Sequence, residues 1–474
     1  MARLGSLSSL VSSLVLVLAL GTHVTAQAAE GFTDYQLANH NANLKQAIAN
    51  KLEKKSLKFG MIKLTDCIPI VAAKELGYFA DEGLNVAIEV QPSWIHVQNR
   101  VISGELDGSH MLYGHPLAAT LGYGIAATEI ITPYNLSING MGISISNEVW
   151  KQMAAKDTRL KTAGYTMPVT AETLQQIAPA YKSSGEPLKF FMTFPVGSHN
   201  FNLRYWLAAG GVIPGFYDGK MVGSSGTIDA DVVLQVNPPP LMVSAMNQNN
   251  CQGFCVGEPW NMQMTIKEQT GRLAVPSQYI FNGSPDKVFG MTKKFADENP
   301  NSTHAVVRAL IRAGRWLDEA PEHRKLAAEM LANKAYIGAQ PEILAESMMG
   351  SLVYNMNDGK ADRRAEPDFN IFYKKYASVP LHSHAVWCLT QMRRWNMIGE
   401  NKPDSWYQEM AAKTFRTDIY RDAFASLEKE GLVKADELPA KDDLSYPAEA
   451  FIDHHAFDPS TPNAYLQQFT IGKK

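Results

Sequence analysis

Cysteine is scarce in this chain, with four residues among 474. In an oxidising compartment some of them could pair. Cys251 and Cys255 are separated by three residues, a spacing that fits neither a zinc knuckle nor a redox Cys-x-x-Cys motif. The pattern leaves two alternatives open, which are one disulfide between Cys251 and Cys255 or four free and buried thiols.

Neither positive nor negative charge is in strong excess, since the chain has 44 Lys and Arg and 47 Asp and Glu, a net charge of -3. A nucleic-acid partner would need a basic face, so the composition argues against one. With 45% hydrophobic and 19% charged residues, the chain has the composition of a soluble globular protein. The net charge says little about small ligands, since one buried site can be positive inside a mildly acidic protein.

Long apolar runs are absent apart from residues 10–20. This run is too short for a membrane-spanning helix, which needs about twenty residues. Arg3 precedes it, and Ala26 and Ala28 supply the small residues that a signal peptidase reads. Residues 1–28 are therefore predicted to be a signal peptide, with a membrane anchor as the less favoured alternative. No Cys lies near the cleavage region, so we expect a soluble, periplasmic chain without a lipid anchor.

The body of the chain shows strands alternating with helices. Apolar residues at every second position, or in short runs, predict strands, and apolar spacing near 3.6 predicts helices. The predicted strands are 57–64, 84–90, 108–112, 188–194, 232–236 and 253–256. Helices are predicted at 69–79, 94–102 and 198–209, and mostly helices follow residue 300. This order is typical of an α/β fold with parallel sheets.

Ten ordered motifs carry a resemblance to a known family. They are Leu-Thr-Asp-Cys-Ile-Pro (64–69), Ala-Lys-Glu-Leu-Gly-Tyr-Phe (73–79), Gln-Pro-Ser-Trp (91–94), Asp-Gly-Ser-His (107–110), Asn-Gly-Met-Gly-Ile (139–143), Thr-Phe-Pro-Val-Gly-Ser-His (193–199), Arg-Tyr-Trp-Leu-Ala-Ala-Gly-Gly (204–211), Pro-Pro-Pro (238–240), Gly-Phe-Cys-Val-Gly-Glu-Pro-Trp-Asn (253–261) and Val-Trp-Cys-Leu-Thr-Gln-Met-Arg-Arg-Trp (386–395). Over residues 57–430 the chain resembles the nitrate and bicarbonate substrate-binding proteins of ABC importers.

The resemblance implies a two-lobed periplasmic binding protein fold of type II, in which the ligand lies in a hinged cleft between the lobes. The first lobe would be discontinuous, formed by residues 57–145 and 262–380. The second lobe would be formed by residues 146–261, and a helical C-terminal extension by residues 381–474. Closure of the lobes around the ligand would be a hinge motion.

The sharpest candidate site is the pair Ser198 and His199, which follows a glycine turn at the start of a predicted helix. Ser198 can cap that helix, and the free N–H groups of its first turn favour an anion. His199 adds a hydrogen-bond donor and matches a ligand contact of the family. Trp94, in the Gln-Pro-Ser-Trp motif, is expected to wall off the ligand and to donate from its indole. The alternatives are a surface or interlobe histidine without a ligand role and a core tryptophan.

Thr65 and Asp66 end the first strand, where ligands approach the carboxyl edge of α/β sheets. For Asp66, capping of the following helix is the favoured alternative to ligand contact. Glu258 precedes a proline at a helix start, and capping or interlobe pairing is expected there. His110 and His115 flank a turn, but no third ligand has a suitable spacing, so neither a metal nor a cofactor is predicted.

Two positions depart from the nitrate-binding relatives that the chain resembles. Those relatives carry Gln inside the Asn-Gly-x-Gly motif, where this chain has Met141. They also carry a Lys, replaced by Glu in bicarbonate binders, at a position that aligns with Tyr279 or, shifted by one, with Gln278. Without that Lys a buried anion would lack a compensating charge, which is costly. Met141 and Tyr279 therefore imply a less polar pocket, suited to a weakly hydrated anion or a neutral solute.

The leading hypothesis is a solute-binding component of an ABC importer, not an enzyme, that binds nitrate or a related small solute. It would act as a monomer whose partners are the permease and ATPase subunits at the membrane. One alternative is a protein of the same fold that binds an organic solute, such as a sulfonate, an amide or a pyrimidine. Two others are an enzyme of the same fold, like the pyrimidine-precursor synthases of thiamine metabolism, and a nitrate sensor. The export signal argues against these last two.

Overall fold

The structure is a computed structural model that describes residues 51–162, 164–219 and 225–473. The predicted signal peptide, residues 1–28, lies outside the described residues. Thirteen strands are described: β1 Ser56–Met61, β2 Asn85–Val90, β3 Gly108–Leu112, β4 Ile130–Asn139, β5 Met141–Ser146, β6 Lys189–Met192, β7 Val233–Val236, β8 Gly253–Gly257, β9 Gly271–Pro276, β10 Pro285–Thr292, β11 Ser351–Asn357, β12 Lys360–Ala365 and β13 Asn370–Ile371.

The described α-helices are α1 Ile68–Glu75, α2 Tyr78–Asp81, α3 Trp94–Ile102, α4 His115–Leu121, α5 Asn147–Lys156, α6 Glu172–Ser183, α7 Ser198–Ala209, α8 Pro239–Asn247, α9 Trp260–Met262, α10 Lys293–Glu298, α11 Pro300–Glu319, α12 Pro321–Leu331, α13 Pro341–Met348, α14 His382–Arg394, α15 Asp404–Thr414, α16 Thr417–Lys429 and α17 Pro462–Gln467. The predicted bounds of α3 and α7 are confirmed. The helix predicted at 69–79 is broken, because Gly77 takes a left-handed φ of 79° and separates α1 from α2.

Two sheets form the two lobes. The first has six strands in the order β13-β4-β10-β3-β1-β2, and the second has five in the order β7-β6-β8-β5-β9. Both sheets are mixed rather than parallel, because β10 is antiparallel to β3 and β4, and β5 is antiparallel to β8 and β9. The expectation of parallel sheets is therefore wrong for these strands. The second sheet spans residues 141–276, so it extends past both predicted ends of the second lobe, 146 and 261.

The reversed strands follow from how the chain crosses between the lobes. It leaves the first sheet at the end of β4 and enters the second through β5, and it returns from β9 to β10. The two crossings lie side by side, because Asn139 Oδ1 accepts the backbone N–H groups of Gly283, at 3.1 Å, and Ser284, at 3.0 Å. Asn139 and Gly140 have φ values of 62° and 76°. A left-handed pair of residues therefore makes the turn from one lobe into the other.

Two large apolar clusters pack the sheets, and one of them contains residues of both lobes. One cluster contains Phe59 of β1 together with Val306 and Trp316 of α11, all three fully buried. The second sheet packs against α7, with Phe190 and Trp206 fully buried. This second cluster continues into α14 of the C-terminal extension. Burial of these large side chains is the main favourable contribution to the free energy of folding of the lobes.

The C-terminal part contains one feature that the sequence pattern missed. Strands β11 and β12 form an antiparallel hairpin in a region where mostly helices were predicted. Phe415, which follows α15, forms an isolated bridge with Thr132 of β4, so the C-terminal part contacts the first sheet. All four cysteines are free and buried.

No helix among the described residues is both long enough and apolar enough to cross a membrane.

Candidate functional site

A fully buried group of polar side chains lies where the two lobes meet. Its centre is the ammonium of Lys287, the third residue of β10. Lys287 Nζ donates to Asp66 Oδ2 at 2.9 Å, forms a short ion pair with Asp286, and lies 3.4 Å from His199 Nε2. We call Asp66, His110, His199, Asp286 and Lys287 the interlobe cluster. All five side chains are completely buried.

Asp66 lies between Lys287 and His110. It lies in the 3₁₀ turn Thr65–Cys67 that follows β1. Its second oxygen, Oδ1, is 2.7 Å from His110 Nε2. The backbone N–H of Ile62 donates to His110 Nδ1 at 3.3 Å, so the proton of the neutral imidazole must be on Nε2. Neither oxygen of Asp66 caps α1, and the favoured alternative of helix capping is wrong.

His199 brings the second lobe to the cluster. Because Lys287 can only donate, His199 Nε2 must be the acceptor, and its Nδ1–H donates to Thr193 Oγ1 at 3.1 Å. Ser198 does not cap α7, contrary to the expectation, because its hydroxyl donates to the Asp286 carbonyl at 3.0 Å across the lobe boundary. The start of α7 is thus joined to β10 of the first lobe.

Two glycines let the lobes approach this closely. A Cβ atom at Gly257, in β8, would lie 3.0 Å from Asp66 Oδ2 and 3.6 Å from His199 Nε2. A Cβ atom at Gly114 would collide with the carbonyl oxygen of Val196. Both positions have ordinary backbone angles, so glycine is required there for space rather than for conformation.

Beside the cluster, a tryptophan and a histidine present polar atoms that no other described residue binds. Trp94 is buried, with its ring 5.1 Å from that of His110 and 5.9 Å from that of His115. The His115 ring is 5.1 Å from Phe194 of the second lobe. Within the described residues, Trp94 Nε1 and both ring nitrogens of His115 lack a hydrogen-bond partner. A buried polar atom without a protein partner calls for a water, an ion or a small polar molecule beside it.

Comparison with known proteins gives the context of this site. The NMT1-like family model matches residues 50–332. The nitrate/nitrite binding protein NrtA of Nostoc sp. PCC 7120 is 30% identical over 437 residues, which cover 91% of this chain and 89% of that protein. The chain belongs to the NMT1-like family, together with these nitrate/nitrite-binding proteins.

Two further relatives of the NMT1-like chain are informative. The nitrate import ATP-binding protein NrtC of Synechocystis sp. PCC 6803 is 32% identical over 426 residues, but the chain covers 56% of that protein's length. The crystal structure of the periplasmic nitrate-binding protein NrtA from Synechocystis PCC 6803 matches with a TM-score of 0.75 at 28% identity, over 89% of this chain and 100% of that chain. The predicted two-lobed periplasmic binding protein fold is thereby confirmed.

The structure brings together some of the residues predicted for the site of this NMT1-like protein. Asp66, Ser198 and His199 lie in or against the cluster. Thr65 precedes Asp66, and its backbone N–H donates to the carbonyl of Glu258 at 2.7 Å across the lobe boundary. Glu258 itself accepts the N–H of Met262 at 3.1 Å, as the capping interpretation expects. Thr65 therefore contacts the second lobe through its backbone.

Met141 and Tyr279 are placed differently. Met141 is buried, and its backbone pairs with that of Gly257 in the neighbouring strand β8. Gly257, not Met141, is the residue that approaches Asp66 of the cluster. The Tyr279 hydroxyl donates to Glu366 Oε2 at 2.9 Å, and Gln278 donates to the same oxygen. Among the described hydrogen bonds, none joins Tyr279 to the cluster.

The sequence pattern missed Asp286 and Lys287. Lys287 is a buried positive charge that the sequence pattern did not find, and Asp66 and Asp286 already pair with it. The sequence signal for these two residues was the apolar run 288–291, which directly follows Pro-Asp-Lys and indicates a strand. The sequence pattern suggested His115 only as one half of a metal pair with His110. Among the described residues no group of three or more His, Cys, Asp or Glu side chains could hold a metal ion.

Burial and pairing set the charges of the cluster. Although burial raises the pKa of Asp66, Lys287 and His110 outweigh it and hold that pKa well below its usual range. Burial, opposed by Lys287 and reinforced by the charge of Asp66, raises the pKa of Asp286 to about 7. Burial and the nearby Lys287 keep the pKa of His199 far below its usual value. The cluster therefore has one firm cation, Lys287, and one firm anion, Asp66.

Proposed function

We propose that the chain is the extracytoplasmic solute-binding component of an ABC importer and binds nitrate, nitrite or a similarly small solute between its lobes. Its relatives are named as binding proteins and as ATP-binding proteins of nitrate import. A periplasmic location agrees with the NrtA structure it matches. An ATPase and a permease are the expected partners, and the monomer stays a prediction.

The observation that carries the proposal is the set of unpartnered atoms on Trp94 and His115, next to His110 of the interlobe cluster and Phe194 of the second lobe. Trp94 Nε1 is a donor, and a neutral His115 offers one donor and one acceptor. Burial lowers the pKa of His115 to about 3, so its ring is neutral at physiological pH. A small planar solute held by these groups would touch the first lobe through Trp94 and His115. It would touch the second lobe through Phe194 and His199.

A second candidate is supported by the charges of the interlobe cluster. Lys287 already faces two carboxyl groups, Asp66 and Asp286, so no cation of the cluster is left over for an anion. A neutral solute with several hydrogen-bonding groups, such as a small amide, would need no extra charge. The two candidates differ in solute charge, which a binding experiment can separate.

The test is a thermal-shift and calorimetric titration of ligand-stripped protein with nitrate, nitrite, bicarbonate, sulfonates and small amides. A solute at a hundred times its Kd should stabilise the fold by about 2.7 kcal/mol. Trp94→Phe removes the indole donor and should weaken binding by about tenfold or more, since a buried hydrogen bond is lost. Trp150→Phe is the matched control, because Trp150 is a buried tryptophan of the second lobe.

Binding of an amide but of no inorganic anion would select the second candidate. If no solute of the panel stabilises the protein, the proposed function is wrong.

A further inference from the structure

We propose that Asp286 is a specificity-determining residue and that the cleft accepts a monoanion only together with a proton, which the Asp286 carboxyl group carries. The inference rests on the proposed function. It restricts the solutes to monoanions that bind together with one proton, so that binding adds no net charge to the site. Asp286 would act by adjusting the charge of the site, without itself having to touch the solute.

The geometry that supports this is two carboxyl groups converging on one ammonium. Lys287 Nζ bonds both Asp66 and Asp286 inside a region from which solvent is fully excluded. With both carboxyl groups ionised, the three residues have a net charge of -1, and the histidines beside them are neutral. An anion placed next to His199 would add a second uncompensated charge to a buried site. Such a charge is costly, so the site gains a proton instead.

The hydrogen bonds show which carboxyl group takes the proton. Asp66 accepts from Lys287 and faces His110 Nε2–H, so both of its oxygens face donors that favour the ionised form. Asp286 shares Lys287, and its other contacts among the described hydrogen bonds are the neutral hydroxyl groups of Ser137, at 3.2 Å, and Ser198, at 3.5 Å. The raised pKa of Asp286, about 7, agrees with this order.

Groups from every neighbouring element surround Asp286. The titratable ones are Lys287 on β10, Asp66 after β1, His110 on β3, Cys255 on β8 and His199 on α7. The hydroxyl groups of Ser137 and Ser198 come from β4 and α7. Helix α3 faces the cluster with Trp94, while its Arg100 bonds Glu89 and Glu105. The lysines of α10 pair with Asp297 and Glu298 of the same helix. No other described cation faces the carboxyl group of Asp286.

The experiment is calorimetric titration of the full mature chain with nitrate from about pH 5.5 to pH 9, in pairs of buffers with different ionisation enthalpies. We expect wild-type protein to take up nearly one proton per nitrate above pH 7 and almost none near pH 5.5. The Kd should then rise by up to about tenfold per pH unit above 7. Binding without proton uptake, or a Kd independent of pH, would overturn the inference.

The Asp286→Asn variant keeps an oxygen for Lys287 but cannot ionise. It should bind nitrate without proton uptake, with a Kd that stays near the low-pH value of wild type. Glu258→Gln is the matched control, because burial raises the pKa of Glu258 to about 7 as well, although it lies outside the cluster. Proton uptake lost in Glu258→Gln and kept in Asp286→Asn would assign the proton elsewhere.

Failure of the proposed function gives a different result. In that case neither wild type nor Asp286→Asn binds nitrate at any pH. The proton itself is then followed by infrared difference spectroscopy near pH 5.5, where wild type should show the carbonyl band of a protonated carboxyl group that Asp286→Asn lacks. Absence of that band would overturn the inference independently of nitrate. If Asp286→Asn does not fold, proton uptake by wild type in the buffer pairs decides alone.

Discussion

Strands β5 and β10 hold matching places in the two sheets, and their chemistry differs. Each is the first strand after the chain crosses between the lobes, and each runs against both of its neighbours. Strand β10 brings Asp286 and Lys287 to the lobe boundary, whereas β5 brings Met141 and the small Gly142. The charge of the site thus comes from one lobe.

This difference shows how the closed boundary is organised. The ion pairs between Asp66, Asp286 and Lys287 lie within the first lobe, so they do not depend on the second. The second lobe contributes neutral groups, such as the imidazole of His199 and the backbone at Gly257. Closure therefore covers a charged surface with a neutral one. Four changes would break or sharpen this contrast, and they are given from the largest expected effect to the smallest.

Removing the cation of β10 should have the largest effect. Lys287→Met leaves two buried carboxyl groups without their common partner, and breaking a buried pair in this way costs about 3–5 kcal/mol. We expect that loss in the free energy of unfolding, measured by urea denaturation near pH 7. Lys293→Met is the control, since Lys293 pairs on the surface with Asp297 and should lose less than about 1 kcal/mol. Equal losses in both variants would contradict the central role of Lys287.

Acid should destabilise the first-lobe side of the boundary through His115. Its folded pKa is about 3, below the ordinary value of about 6.5, so below pH 6.5 the unfolded chain binds a proton that the folded chain does not. Stability therefore falls as the pH falls from about 6.5 towards 3, by up to about 1.4 kcal/mol per pH unit.

His115→Gln removes that proton. Between pH 6.5 and 5, wild type should lose about 2 kcal/mol more stability than His115→Gln, measured by urea denaturation at each pH. His304→Gln, at a partly exposed imidazole near Asp422, is the control for loss of a histidine outside the core. A His115→Gln curve parallel to that of wild type would show that His115 is protonated in the folded chain.

A polar group on β5 should make the two strands more alike. Met141→Gln places an amide donor one strand from the cluster, and a new hydrogen bond of about 0.5–1.5 kcal/mol would tighten nitrate binding by about two- to tenfold. The measurement is calorimetric titration. Met153→Gln, at another buried methionine of the second lobe, should destabilise the fold without tightening binding. Unchanged or weaker affinity in a folded Met141→Gln would exclude Met141 from the solute contact.

The smallest effect is expected at Tyr279. Tyr279→Phe removes one of the three side-chain donors of Glu366, the others being Gln278 and Tyr354, and should cost about 1 kcal/mol of stability. Nitrate affinity should change by less than about twofold. Tyr354→Phe, which removes a donor to the same carboxylate, is the matched variant. A tenfold loss of affinity in Tyr279→Phe alone would return Tyr279 to the site.

The sequence pattern predicted the helices that deliver the site and missed the reversed strands. Helix α7 was bounded correctly because Gly197 and Gly210 interrupt the apolar spacing on both sides. Strand β10 was not recognised, because Asp286 and Lys287 at its start give it the local pattern of an exposed loop. The pairing that buries them involves Asp66, which is 221 residues away in the chain. Local spacing has no access to such a partner.

The sequence by itself determined the family, the two-lobed α/β fold and the presence of His199 and Trp94 near the lobe boundary. These follow from ordered motifs and from glycines and prolines that act on neighbouring residues. Only the tertiary structure decided that Asp66 pairs with Lys287 rather than capping α1, and that Tyr279 bonds Glu366. It also decided that Asp66 and Asp286 share the ammonium of Lys287. The physical reason is that a buried charge depends on its desolvation and on its partners, and folding brings both from distant parts of the chain.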